Sequence, residues 1–116
     1  MDEIDLVDTH GGRWRTEVPT TGRERTRGLS GRDGLAPGNA MLFQRCRSVH
    51  TFGMGFPIDA VLLDRGLRVV AVVTMPPRRL LLPRSRVRHI LECAAGCELR
   101  PGDRLRRGGG SERTRR

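Results

Sequence analysis

The feature that most constrains the fold is a pair of apolar segments separated by a tight turn. Residues 60–63, AVLL, and residues 67–75, LRVVAVVTM, flank the turn residues 64–66, DRG. Both segments are almost continuously apolar, and the second is mostly β-branched. They therefore predict a β-hairpin that is at least partly covered on both faces. Pro76 and Pro77 end the second strand, because neither can donate to a sheet ladder.

Other short segments also read as strands separated by glycine and proline turns. These are residues 6–9, 14–18, 40–43, 89–94 and a last short strand near 104–106. The 89–94 pattern also suits one helical turn. Ala36-Pro37-Gly38-Asn39 and Arg100-Pro101-Gly102-Asp103 carry the same turn chemistry. The pattern predicts an all-β fold, either a compact β-sandwich or a partly open barrel, with at most one short helix.

The one predicted helix ends at Arg27. Thr20 or Thr21 would cap its start, and Glu24 lies three residues after Thr21, in capping-box register. Gly28 would end it in the left-handed conformation.

The length of 116 residues fits one domain. We expect residues 1–106 to form it and residues 107–116, RGGGSERTRR, to be a flexible tail. Residues 78–88 hold five arginines and Pro83, which predicts an exposed connection.

The basic charge carries little evidence for specific nucleic-acid binding. The net charge is +9, and all 22 basic residues are arginine, which indicates a bias of the coding sequence. Residues 104–116 alone contribute six arginines and one glutamate. There is no tyrosine and only one tryptophan, so the stacking platforms of single-strand binders are largely missing. Any nucleic-acid contact is expected to be non-specific.

The N-terminus, MDEIDLVD, is acidic where an export signal would be basic and then apolar. The uncharged and mostly apolar run of residues 69–77 is far shorter than the roughly 20 residues that span a bilayer. We therefore expect a cytoplasmic protein with no membrane partner. An odd number of cysteines fits reduced thiols and not a disulfide framework.

Five motifs occur in an order that resembles a known family. They are TRGLSGRDGL, AMLF, VHTFGMGFPIDAVLLDRGLRVVAV, ILECAAG and RPGDRL. Together they resemble DUF192, the uncharacterised prokaryotic domain of unknown function 192, over about residues 14–106. The resemblance implies a compact β-rich fold and carries no established activity.

This chain departs from the DUF192 pattern at several positions. Ser30 stands where the family has methionine, Ala40 where it has glycine, and Gly53 where it has tryptophan. The family's K-N-T is reduced to Gly55-Phe56. Any ligand contact that those family side chains make would be absent here.

The segment VHTFGMGFPID holds the first candidate site residues. Asp59 precedes an apolar strand, so its carboxylate either caps a turn or serves as an acid or base. His50 lies across the Gly53-Met54-Gly55 bend, which would bring it near Asp59.

Glu92 is the third candidate. On a strand it points away from Leu91 and Cys93, and it would face solvent, pair with an arginine such as Arg88, or join Asp59 in an acidic spot. Such a spot would suit a cation or a sugar hydroxyl, and Met54 would line its apolar floor or belong to the core. The binding hypothesis therefore comprises His50, Met54, Asp59 and Glu92.

A weaker alternative is a metal site. Cys46, His50, Cys93 and Cys97 are ligand types that zinc prefers, but their spacing is looser than in zinc ribbons. We expect incidental or core cysteines, no metal and no cofactor.

Three functions remain open. The preferred one is a small binding or interaction module with a shallow cleft near His50 and Asp59, whose partner is a small molecule or a protein. The second is an enzyme with hydrolase-like acid/base chemistry that uses Asp59 with His50 or Glu92, although no nucleophile motif supports it. The third is a basic protein that adheres to polyanions through its arginine-rich tail.

Overall fold

The computed structural model describes residues 1–108 and is mostly β. Residues 109–116, most of the expected tail, lie outside the described residues. The elements are β1 (Asp2–Val7), β2 (Arg13–Val18), α1 (Gly22–Arg27), β3 (Asn39–Phe43), β4 (Val49–His50), β5 (Ile58–Leu63), β6 (Val69–Met75), β7 (Leu80–Leu81), β8 (His89–Ala94) and β9 (Arg106–Arg107).

Seven strands form one sheet in the order β6-β5-β8-β3-β2-β1-β9, and the sheet curls into a half-barrel. Neighbours are antiparallel except β2 and β3, which are parallel and joined through α1. Strands β4 and β7 form a separate two-stranded sheet. The prediction of an all-β fold with a partly open barrel and one short helix is confirmed.

The sheet carries a hydrophobic cluster on each face. The first-face cluster includes Leu6, Trp14, Val18, Leu42, Val61, Leu63, Leu91 and Cys93. The second-face cluster includes Leu29, Met41, Phe43, Met54, Ala60, Leu62, Leu81 and Ile90. Successive side chains of a strand point to opposite faces, so the central strands supply both clusters. This two-sided burial explains why the predicted hairpin is almost continuously apolar.

The predicted β5–β6 hairpin is present, with a register shift at Leu62 and Leu63. Oδ1 of Asp64 accepts the N–H groups of Gly66 and Arg68, each at 2.9 Å, which fixes the turn. Residues 89–94 form a strand and not a helical turn, because they pair with β3 on one side and β5 on the other.

The helix begins as the sequence predicts. The Glu24 N–H donates to Oγ1 of Thr21 at 3.1 Å, and Oε1 of Glu24 accepts the Thr21 N–H at 3.2 Å. Gly28 ends the helix with φ of 51°. Both capping-box bonds are therefore made, and they satisfy two N–H groups that the first turn leaves free.

The prediction that residues 78–88 form an exposed connection is wrong in part. The five arginines are exposed, but Leu81 is 7% exposed and Val87 is fully buried. Leu81 pairs with Val49, and this small sheet covers the second-face cluster. The sequence prediction gave weight to the many arginines and missed Leu81 and Val87, whose side chains pack in the second-face cluster and attach the segment to the domain.

Ordered structure extends past the expected domain boundary at residue 106. Arg106 and Arg107 pair with Val7 and Leu6, and the Gly108 N–H donates to the Asp5 carbonyl at 2.8 Å. Within residues 1–108 the helical segment has six residues, too few to cross a bilayer. The cytoplasmic location is not tested by this and stays a prediction.

Candidate functional site

A cleft of about 210 Å³ opens on the second face of the sheet. One wall is residues 25–30, at the end of α1 and just after it, and the other comes from the stretch 46–54 that includes β4. Phe43 at the end of β3 and Glu92 on β8 complete the lining. We call this space the Glu92 cleft. Three of the four predicted binding residues line it, namely His50, Met54 and Glu92.

Glu92 is the most unusual residue of the cleft. Its side chain shares the second face with the cluster, since β8 directs Leu91 and Cys93 into the first-face cluster. Glu92 is only 2% exposed, and its carboxyl group makes no hydrogen bond or ion pair with any residue in 1–108. The expectations that it faces solvent or pairs with Arg88 are therefore wrong, because the sheet is covered on both faces here.

Burial alone raises the pKa of Glu92 to about 8. An apolar environment disfavours the charged carboxylate, and no cation offsets this. At neutral pH the group is mostly a neutral carboxylic acid, which can donate one hydrogen bond and accept others. The cleft thus contains a buried acid whose hydrogen-bonding capacity is unused within the described chain.

His50 lies at the exposed side of the cleft. Its Nδ1 accepts the Phe52 N–H at 3.2 Å, and the two rings lie 5.3 Å apart between centroids. This local arrangement fixes the ring at the rim. The expected approach of His50 to Asp59 is not observed.

Met54 lies on the apolar floor, 7% exposed, and its N–H donates to the Thr51 carbonyl at 3.2 Å. The same turn contacts the opposite wall, since the Ser30 hydroxyl donates to the Phe52 carbonyl at 3.4 Å. A Cβ on Gly53, whose φ is +82°, would lie 3.2 Å from Oγ of Ser30. The close approach of these two walls sets the width of the cleft.

Asp59 does not line the Glu92 cleft, and its carboxylate is engaged in hydrogen bonds within the fold. It pairs with Cys93 across β8, so its side chain shares the first face and cannot join Glu92 in an acidic spot. Oδ1 accepts the Thr74 hydroxyl at 2.6 Å, and Oδ2 accepts the N–H groups of Gly96 and Cys97 at 2.8 and 3.0 Å.

Burial pushes the pKa of Asp59 upward, but these three hydrogen bonds outweigh it and hold the pKa below its usual value. Such an ionised, fully bonded carboxylate ties β5 and β6 to the loop that follows β8. The geometry therefore supports the turn-stabilising alternative for Asp59.

The four candidate zinc ligands are separated by the sheet. Cys46 lines the Glu92 cleft, and its thiol donates to the Ser48 carbonyl at 3.1 Å. Cys93 is buried in the first-face cluster, with Cys97 packed against it. Within residues 1–108 no three histidine, cysteine or acidic side chains are placed to hold a metal ion together. The combination of Cys46, His50, Cys93 and Cys97 as one site is therefore wrong.

The wall of the cleft formed by residues 25–30 was not predicted from the sequence. Nor was the role of Thr51, a fully buried residue that supports the turn between His50 and Met54 without lining the cleft. The Thr51 hydroxyl donates to the Pro76 carbonyl at 2.7 Å and accepts the Arg79 N–H at 2.8 Å. The run RGLS, part of the family resemblance, was the available signal for the missed wall.

Comparison with known proteins decides the family. The model of domain of unknown function 192, described as an uncharacterized ACR, matches residues 6–107. The chain belongs to the DUF192 family. The resemblance noted from the five motifs is confirmed.

A curated relative is the UPF0127 protein PH1112 of Pyrococcus horikoshii, which is 38% identical over 63 residues. The match covers 51% of this chain and 55% of that protein, so the chain spans about half the length of the curated relative.

Two solved structures share the fold. One is a protein of Sinorhizobium meliloti, described as a presumed transcription regulator, with a TM-score of 0.77 and 24% identity over 90% of this chain and 92% of that one. The other is a protein of unknown function from Novosphingobium aromaticivorans, with a TM-score of 0.74 and 21% identity over 90% of this chain and 83% of that one. At these identities the likeness shows the fold alone.

Two departures of this DUF192 chain from the family pattern meet at the cleft. Ser30 and Gly53, where the pattern has methionine and tryptophan, are the two residues in close approach across the walls. At both positions this chain has a small residue where the resemblance implies a large one.

Proposed function

We propose that this DUF192 domain is a small-molecule binding module and that its ligand occupies the Glu92 cleft. The observation that carries the proposal is the buried carboxyl group of Glu92, which has no hydrogen-bond partner within residues 1–108. No side-chain nitrogen or oxygen within residues 1–108 is both fully enclosed and without a hydrogen-bond partner, so the carboxyl oxygens of Glu92 open onto the cleft and are accessible to a ligand. A ligand that hydrogen-bonds to Glu92 in this largely apolar space gains about 0.5–1.5 kcal/mol per hydrogen bond, and this favours occupancy of the cleft.

The lining defines the chemistry of the ligand. The apolar part of the lining includes Leu29, Phe43 and Met54, while Glu92 supplies a neutral acid at pH 7. Arg25, partly buried at the wall, makes no ion pair within the described chain and disfavours a cationic ligand. The cleft is smaller than the roughly 300–1,000 Å³ of drug-sized sites. We expect a compact, uncharged or anionic molecule with an apolar body and a hydroxyl or carbonyl group.

Ligand-observed NMR on the full chain tests this proposal. The panel contains monosaccharides, small polyols, hydroxy acids and small amides. Glu92→Leu keeps the side chain of similar size but removes both hydrogen-bonding functions, so it should weaken the binding of panel members at least about tenfold. Glu3→Gln, an exposed glutamate on β1, is the matched control and should bind like the parent.

Ser30→Met provides an independent probe, because it introduces a large side chain at the wall. This variant should weaken the binding of the same ligands, because the methionine side chain would occupy part of the space they need. The proposal would be contradicted if panel members bound the Glu92→Leu and Ser30→Met variants as tightly as they bind the parent. It would also be contradicted if no panel member bound the parent.

A second candidate function, an enzyme that uses Glu92 as a proton donor, is favoured by the pKa of about 8. A carboxylic acid that titrates near neutral pH is suited to general acid catalysis. Incubating each binder with the protein and following its NMR signals distinguishes the two functions. An enzyme would change the ligand chemically, and Glu92→Gln would stop that change while retaining binding.

A further inference from the structure

A second concave surface, of about 440 Å³, lies near the turn between β5 and β6, and arginines dominate it. Its lining residues are Asp64, Arg65, Gly66, Arg68, Arg86, Arg88 and Arg104. Five arginines and one aspartate give this surface a formal charge of +4. We call it the arginine cleft. It shares no lining residue with the Glu92 cleft.

Distant parts of the chain are held together to form the arginine cleft. The Arg88 N–H donates to the Leu63 carbonyl at 2.8 Å, which attaches the segment before β8 to the end of β5. The Leu105 N–H donates to the Leu67 carbonyl at 2.9 Å, and Arg68 and Arg104 form an isolated antiparallel bridge. The arginines therefore project from a backbone that is already hydrogen-bonded.

The bridge between Arg68 and Arg104 places two like charges directly opposite each other. Cβ atoms of such cross-strand pairs lie about 4.5–5.5 Å apart, and like charges there are destabilising. Nε of Arg104 donates to the Gly66 carbonyl at 3.2 Å, and Nη1 of Arg68 donates to the Gly102 carbonyl at 3.3 Å. Each guanidinium retains further N–H donors, since it carries five.

The other three arginines are unpaired in the described chain. The side chains of Arg65, Arg86 and Arg88 are exposed and make no hydrogen bond or ion pair within residues 1–108. The single acid of the cleft, Asp64, is occupied by the turn, and its hydrogen bonds together with the nearby Arg68 and Arg104 lower its pKa. Among the residues that line the cleft, Asp64 is therefore the single counter-charge to five arginines.

We propose that the arginine cleft binds a compact polyphosphate group, as carried by inorganic polyphosphate or by a nucleoside triphosphate. Guanidinium groups form strong bidentate hydrogen bonds with phosphate oxygens, and several phosphates in a row match several arginines around one concavity. This proposal does not depend on the function of the Glu92 cleft. It also places anion binding in the folded body, whereas the sequence favoured the tail.

The lining residues contain no aromatic side chain, so a nucleobase has no stacking partner among them. Tripolyphosphate and adenosine triphosphate should therefore bind with dissociation constants that agree within about threefold. A nucleotide that binds more than about tenfold tighter would overturn this assignment of the ligand to the phosphate chain alone.

Isothermal titration calorimetry of the full chain with tripolyphosphate, at pH 7.5 and low salt, tests the proposal. Arg65→Gln, Arg86→Gln and Arg88→Gln are combined in one variant, chosen because these side chains make no bonds that the fold needs. Binding should weaken about 100-fold, on the basis of lost charge-assisted hydrogen bonds. The matched control combines Arg113→Gln, Arg115→Gln and Arg116→Gln, which removes the same amount of charge from the C-terminal segment and should weaken binding less than threefold.

If both variants bound tripolyphosphate equally weakly, the attraction would be general electrostatics and the proposal would be overturned. It would also be overturned if only the tail variant lost binding, or if the parent did not bind tripolyphosphate. A backbone amide NMR titration of the parent with tripolyphosphate gives a test without substitution. Shifts should concentrate at Arg65, Gly66 and Arg88. Shifts confined to residues 109–116 would overturn the proposal equally.

Discussion

Replacing Glu92 with glutamine should make the protein more stable, and increasingly so as the pH rises. Glutamine resembles the neutral acid in shape but cannot ionise. In the folded protein Glu92 keeps its proton up to a pKa of about 8, whereas the unfolded chain loses it near 4.5. Between these values the folded parent holds more protons than the unfolded parent, so its stability falls with rising pH. The variant has no such dependence at this position.

The size of the effect follows from the same pKa shift. A shift from 4.5 to about 8, at about 1.4 kcal/mol per pKa unit, corresponds to about 5 kcal/mol. We therefore expect the stability difference between variant and parent to be nearly constant below pH 4.5. It should rise by about 1.4 kcal/mol per pH unit and level off above pH 8. This is a large part of the roughly 5–15 kcal/mol that stabilises a typical domain.

Urea denaturation of the two proteins at pH 5, 6, 7, 8 and 9 measures this difference. The single tryptophan, Trp14, is 8% exposed in the first-face cluster, so its fluorescence reports loss of the core. Far-UV circular dichroism should give the same midpoints. Other titrating groups are common to both proteins and cancel in the difference. Glu3→Gln, an exposed glutamate, should show no pH-dependent difference from the parent.

A stability difference that does not change between pH 5 and pH 9 would refute the reasoning. It would mean that Glu92 ionises as readily in the folded protein as in the unfolded chain. The carboxyl group would then be solvated or paired, and the main support for the binding cleft would be lost.

Three further predictions concern the fold. Asp59→Asn should destabilise the protein by about 2–4 kcal/mol at pH 7 in urea denaturation, because its amide cannot accept all the bonds from Thr74, Gly96 and Cys97. In the parent, the stability that ionised Asp59 contributes should be lost as the pH falls through its lowered pKa. The Asp59→Asn variant should bind ligands at the Glu92 cleft like the parent. Thr21→Ala should cost about 1 kcal/mol by removing the capping box, and an unchanged midpoint would argue against the cap. Leu81→Ala should cost about 2–4 kcal/mol, whereas Leu82→Ala, at an exposed neighbour, should cost under about 0.5 kcal/mol; equal effects would contradict the burial of β7.

The features that depend on neighbours in the chain could be predicted from the residue types. The β5–β6 hairpin, the capping box of Thr21 and Glu24, and the turn at Gly38 all follow from residues within a few positions of one another. Their conformations are decided by local hydrogen bonds and allowed dihedral angles, which the residue types reveal. The five family motifs also led to the family, and the all-β fold followed from the spacing of strands and turns.

The tertiary structure alone decided which candidate residues share a site. Asp59 and Glu92 both lie on strands next to apolar residues, and their local sequences do not show that they point to opposite faces of the sheet. The pairing of β5 with β8 sets Asp59 against Cys93 and Ala60 against Glu92, and a shift of one residue would reverse the arrangement. Glu92 is buried, and its pKa is raised, because segments that are distant in sequence fold over one face of the sheet. The most distant of them, at Arg25, lies 67 residues before Glu92. Desolvation depends on what covers a group in three dimensions, and this is why the chemistry of Glu92 could not be predicted from its neighbours in the chain.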